Sequence, residues 1–187
     1  MVTGHIDPRY GNASATAPGW DDVERRLADA QLYWMVTVRA DGRPHAVPLC
    51  GVWHDGAFAF VTGEREQKMR NLEANQQVAV TAGPLGAAGW ASGKDVVVEG
   101  VATRITDPAT LQVLAEEWER KYDGDWRWEV RDGRFVELTD SGGNPDPDDR
   151  GDPDEEHGGH VFRVPPAKVM VFGDEHGQTT YRFDPPG

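Results

Sequence analysis

Cysteine is nearly absent from this chain. Cys50 is the only one among 187 residues, so no intramolecular disulfide can form and a reducing compartment is expected. Long apolar runs are missing too. None approaches the roughly 20 residues of a membrane-spanning helix, and Met1–Gly19 lacks a basic-then-apolar leader pattern. Positive charge is scarce, with 19 basic against 32 acidic residues and a formal net charge of −13. Nucleic acid and anionic membrane surfaces both call for a basic face, so both are disfavoured as partners. Several catalytic signatures are absent as well: there is no G-x-S-x-G, no G-x-x-x-x-G-K-[ST], no H-E-x-x-H and no C-x-x-C. A soluble, cytoplasmic protein without the usual nucleophile, P-loop or zinc chemistry is expected.

The charge is unevenly spread. Residues 141–160 hold seven acids against one base, with five glycines, three prolines and no aliphatic or aromatic residue. Such a segment buries too little apolar area to offset its ordering entropy, and it reads as a disordered acidic surface loop. His157 and His160 fall within it and read as solvated loop histidines, so no metal site is expected. The rest is large enough for one domain over 20–187, preceded by a flexible segment over 1–19.

The periodicity predicts few helices. Val23, Leu27 and Ala30 mark one over 20–31. Asp107-Pro108 starts another, with Leu111, Leu114, Ala115 and Trp118 on one face up to about Tyr122. A short helix is expected over 64–74. Strands are predicted over 33–39, 45–53, 57–62, 77–82, 94–104, 161–164, 168–172 and 179–183. Asp41-Gly42 and His54-Asp55-Gly56 supply hairpin turns. Pro48 marks an edge or a bulge, and Asp132 before Gly133 reads as a turn. The loop Gly83-Pro84-Leu85-Gly86-Ala87-Ala88-Gly89 has the wrong glycine spacing and no following helix for a dinucleotide site. Antiparallel hairpins with peripheral helices imply a mainly β (α+β) fold, a closed or split β-barrel.

One stretch carries chemistry. Arg65, Lys68 and Arg70 sit between the strand-like runs 58–62 and 78–81. Cations at a strand end beside a helix start suit a phosphate group. Tyr33–Pro48, Lys68-Met-Arg-Asn-Leu72 followed by Val78-Ala-Val80, Val96–Ala102 and Thr180–Phe183 occur in the order of the pyridoxamine 5'-phosphate oxidase-like, flavin/deazaflavin oxidoreductase superfamily. The chain resembles it over roughly 20–136 and 161–183.

The resemblance implies an antiparallel split β-barrel homodimer with FMN or the deazaflavin F420 in a groove at the subunit interface, and a small-molecule substrate. It implies Lys68 as the phosphate anchor, with Arg65, Arg70 and Asn71 beside it. Pro48, Val61, Thr62 and Gly63 would line the ring or its chain, and Trp53 would face the substrate. Many members carry a basic residue one or two places before the lysine; here those places hold Gln67 and Glu66. That absence, with the Thr180–Phe183 ending, leans toward F420. Trp90 and Trp126 are further candidates for a pocket wall or for core. Cys50 reads as a buried structural residue. No catalytic side chain is required, because the cofactor carries the electrons. The competing reading is a flavin- or haem-binding barrel without turnover, with His45, His54 and His176 as candidate haem ligands.

Overall fold

The computed structural model describes residues 2–12, 14–83, 95–138, 158–173 and 175–184. Most of the expected acidic loop, with His157, lies outside these residues, as do Trp90 and nearly all of the 83–89 loop.

Two antiparallel sheets carry the fold. The first has seven strands in the order β1 (His5–Ile6), β13 (Gly177–Arg182), β12 (Pro166–Gly173), β7 (Asp95–Val101), β6 (Gln77–Ala82), β2 (Tyr33–Val38) and β3 (Pro44–Leu49). The second runs β4 (Val52–His54), β5 (Ala57–Thr62), β11 (Gly158–Val164), β10 (Arg134–Glu137) and β9 (Trp128–Arg131), with β8 (Thr103–Ile105) also on β11. Among the described residues three helices pack around them: α1 (Trp20–Asp29), α2 (Gln67–Ala74) and α3 (Pro108–Lys121). This is the split β-barrel expected from the sequence.

The strands differ from expectation where the chain changes sheet. The run 45–53 reads as one strand but divides at Cys50–Gly51 into β3 and β4, one in each sheet. A Cβ at Gly51 would lie 2.5 Å from the Phe58 ring and 2.7 Å from the Ala59 carbonyl, so only glycine fits this corner. The long strand expected over 94–104 likewise breaks at Ala102 into β7 and β8. A third corner falls at Pro165, between β11 and β12. The hairpin β9–β10 was not predicted. It forms around Asp132 and Gly133, both at positive φ (51° and 71°), the geometry of a tight two-residue turn.

Two corrections concern segments expected to lack structure. Within 1–19, His5 and Ile6 pair with Thr180 and Thr179 of β13, and the Pro18 carbonyl accepts a 2.5 Å bond from the Tyr181 hydroxyl. His160 is no loop histidine: it lies in β11 opposite Thr62 and is buried. The glycines before it reflect crowding, since a Cβ at Gly158 would approach the Phe135 carbonyl to 2.2 Å.

The core has two layers. Phe58 and Phe60 of β5 face α1 and the first sheet, among Tyr33, Met35, Val80, Val98 and Val169. Ala59 of β5 and Val161 of β11 face α3, among Leu111, Trp118 and Phe135. The second sheet is therefore covered on both sides, which is why β5 is almost wholly apolar. The first sheet alternates, with Trp34 on β2, Val101 on β7 and Phe172 on β12 left exposed on its outer face.

Candidate functional site

Helix α2 turns Lys68, Asn71 and Leu72 inward at i, i+3 and i+4. Leu72 joins the core. Lys68 is 8% exposed, and burial pulls its ammonium down to about 8. Glu66, the residue before the helix, pairs with it through Oε2. The other oxygen of Glu66 accepts the Gly63 backbone N–H at 2.7 Å. One carboxylate thus ties the end of β5 to the start of α2. An ammonium has three donors, and Glu66 is the partner Lys68 has among the described residues.

Behind Lys68 lies a polar row. Gln67 Nε2 donates to Asn71 Oδ1 at 2.8 Å. Asn71 Nδ2 donates to the Thr37 hydroxyl oxygen of β2 at 2.8 Å. That hydroxyl lies 3.4 Å from Nδ1 of His45, its cross-strand partner on β3. Thr37 and Asn71 are buried. His45 is held below the usual histidine range, chiefly by lost hydration and then by the charges of Arg39 and Lys68. The cationic charges that act on His45 are those of Arg39 and Lys68. Arg65 and Arg70 are exposed, Arg70 two places from Lys68 and so on another side of the helix.

The remaining sequence candidates divide. Thr62 is fully buried and Gly63 abuts Glu66, so both border the Lys68 corner. Val61 packs against the α3 layer instead. Pro48 is exposed and pairs with Trp34 on the outer face of the first sheet, the side opposite Thr37 and His45. Trp53 belongs to another locality. Its indole N–H donates to Glu24 at 3.0 Å, it meets Trp20 edge-on, and it lines a cleft of about 270 Å³ with Asp29, Gln31, Arg120 and Lys121. A cleft of about 340 Å³ includes His54 and Arg163. Neither is lined by Lys68. The cationic site is an open corner, not an enclosed pocket.

Three features escaped the sequence reading. Glu66 was noted only as a missing base, yet it holds Lys68. His160 Nδ1 lies 2.6 Å from an Arg104 nitrogen and its Nε2 3.2 Å from Glu64, which makes an ordered trio at the mouth of β11. Lys121 is half-buried and pulled to about 8 by burial. It donates to the Tyr33 hydroxyl at 2.9 Å and the Gly51 carbonyl at 2.8 Å. Cys50, beside it, is partly rather than fully buried, and burial raises its thiol pKa. Among the described residues, no group of three or more His, Cys, Asp or Glu is placed to hold a metal ion. No helix there is long and apolar enough to cross a membrane.

Comparison with curated protein sequences gives no match. Solved structures share the fold at low identity. A conserved hypothetical protein from Mycobacterium tuberculosis is 17% identical, with 87% of this chain and 88% of that one covered at a TM-score of 0.61. The heme storage protein HutZ from Vibrio cholerae is 18% identical, covering 83% and 97% at 0.55. An F420 reductase is 20% identical, covering 78% and 94% at 0.50. A family model described as pyridoxamine 5'-phosphate oxidase matches residues 20–139, and on this match the chain belongs to the pyridoxamine 5'-phosphate oxidase-like family of split β-barrels.

Proposed function

We propose that the chain is an oxidoreductase that binds a phosphate-bearing flavin or deazaflavin, FMN or F420, at the Lys68 corner. The observation that carries this reading is Lys68 itself. A buried ammonium is costly unless paired, and this one holds a single carboxylate while donors remain for a ligand. Arg39 adds positive field nearby. The backbone of Thr62 and Gly63 borders the same corner. When bound, the cofactor supplies hydride or electron transfer. The chain supplies charge at Lys68 and orientation through Asn71 and Thr37, and it needs no proton-transfer triad.

The open corner also supports a site completed by a second copy of the chain. Trp34, Val101 and Phe172, from 37% to 52% exposed, share the outer face of the first sheet, with Pro48 beside Trp34. A homodimer through this face would cover them and bring one copy's Pro48 and Trp34 toward its partner. A small organic molecule is the proposed substrate, and the cytoplasm the proposed location.

A visible spectrum of the purified protein, followed by titration with FMN and F420, tests the reading. Binding of either cofactor, reversed by Lys68→Ala, is the expected result. A protein that binds neither overturns it. The second reading is a flavin- or haem-binding barrel without turnover, favoured by the fold shared with the heme storage protein. Haem uptake, without flavin binding, would replace the first reading with this one.

A further inference from the structure

The polar row behind Lys68 has a direction. Gln67 occupies the Asn71 carbonyl oxygen, so the amide nitrogen of Asn71 must be the end that meets Thr37. The Thr37 oxygen receives that N–H and keeps its single hydrogen, and His45 Nδ1, 3.4 Å away, is the side-chain acceptor beside it. An imidazole that accepts at Nδ1 while neutral carries its hydrogen at Nε2. Both residues that impose this order are buried, Thr37 at 1% and Asn71 at 2% exposed, whereas His45 is half-exposed. Arg39 and Lys68 stand close enough to oppose a second proton on the ring. The result is an imidazole whose second proton both cations oppose, held from behind by a chain that begins on α2.

We propose that His45, locked as the Nε2–H tautomer by the Gln67–Asn71–Thr37 chain, donates that hydrogen to an anionic oxygen of the phosphate group bound beside Lys68. The proposal rests on the reading of Lys68 as a phosphate anchor and adds to it a positioning group that composition did not reveal. A neutral donor adds a directed contact without adding a third charge to repel Arg39 and Lys68. It also links the set of the helix to the edge strand, because any shift of Asn71 releases the imidazole from its tautomer.

The first test reads the tautomer on the ligand-free full chain. In a two-bond ¹H–¹⁵N spectrum, with the His45 signals assigned by their loss in His45→Gln, the hydrogen is expected on Nε2. Thr37→Val should give a mixture of tautomers, and Thr37→Ser should restore Nε2–H. Adding inorganic phosphate should then move the His45 Nε2–H signal in the natural chain but not in Lys68→Ala. The second test compares ligands: His45→Phe, which removes the donor, should weaken FMN about 10- to 100-fold, the range of a hydrogen bond to a charged group, and leave riboflavin, which lacks the phosphate, unchanged. A hydrogen found on Nδ1, a Thr37→Val spectrum identical to that of the natural chain, or equal weakening of FMN and riboflavin overturns the proposal. Failure of the natural chain to bind FMN or F420 would end the oxidoreductase reading instead, and the tautomer and phosphate spectra are read without either cofactor.

Discussion

Two lysines, Lys68 on α2 and Lys121 on α3, are pulled down by burial to the same value of about 8, yet they differ in what surrounds them. Lys121 is half-buried at the edge of the cleft beside Trp53, with protein partners on two of its three donors. It bonds to the Tyr33 hydroxyl and the Gly51 carbonyl, and its ammonium stands 4.7 Å from the Tyr33 ring centre and 5.5 Å from that of Tyr122. Its contacts bolt α3 to β2 and to the corner at Gly51. Lys68 has one carboxylate, itself half-exposed, and lies where two further elements direct polar groups. An equally lowered ammonium therefore does not mean equal purpose. A cation whose donors are consumed by the fold is structural, while a cation buried with donors to spare is poised for a ligand.

The contrast can be broken most sharply at Lys68. Lys68→Ala should weaken FMN or F420 binding by roughly 10- to 100-fold, the range of a hydrogen bond to a charged group, while unfolding in urea stays cooperative. Equilibrium titration checks this, and unchanged affinity removes Lys68 from the site. Around Lys121 the opposite split is expected. The Tyr122 hydroxyl accepts the Gly51 N–H at 2.8 Å, and its one hydrogen lies within reach of the Gly51 carbonyl at 2.9 Å and the Gln31 carbonyl at 3.1 Å. Tyr122→Phe should thus cost about 1–3 kcal/mol of stability, from buried groups left unpaired, with cofactor affinity unchanged. A loss of affinity instead would make the α3 corner part of the site.

A smaller effect follows from pH. Each amine is held at about 8 in the folded chain against 10.5 when free. Between those values the unfolded chain binds more protons, so stability climbs as pH rises from about 8 to 10.5 and is flat below. Urea midpoints across this window should show the climb, and Lys68→Met or Lys121→Met should each remove roughly half of it. The Cys50 thiol and the Tyr33 and Tyr122 hydroxyls, all raised by burial, pull the other way in the same window, so the variants decide: profiles of Lys68→Met and Lys121→Met that both match the natural chain would mean that neither amine is desolvated. Smallest of all, Arg70→Ala should leave stability within about 0.5 kcal/mol and cofactor affinity unchanged. A drop in affinity like that of Lys68→Ala would return Arg70 to the anchor.

Much of the fold was legible because local signals agreed. Asp107 caps α3 by accepting from Thr110 at 2.8 Å, with Pro108 in the first turn, and both residues announce this in sequence. Strands β5 and β6 fall at their predicted bounds. The corners were not legible: apolar character runs on through Cys50–Gly51 and Ala102, and only the closeness of Phe58 and Ala59 to Gly51 forces the chain across. The β9–β10 hairpin was missed because its strands have four residues each and alternate with charges. At the site, Lys68 stood out as a cation at a strand–helix junction. Arg39 did not, and His45 was read only as a candidate haem ligand, since both lie more than twenty positions earlier on the β2–β3 hairpin and His45 is joined to α2 only through Thr37 and Asn71. Glu66 looked like an absent base because a sequence does not show which way a carboxylate faces.

The three corners have a mechanical consequence. At Cys50–Gly51, Ala102 and Pro165 the chain leaves one sheet and enters the other directly, and α2 carries it across once more between β5 and β6, so the two halves of the barrel are stitched together four times by covalent backbone. Neither sheet can come away while the other stays whole, and the layer between them opens all at once or not at all. The slowest-exchanging amides should therefore come from both sheets with a common opening energy, while β1, sewn on at the rim, exchanges first.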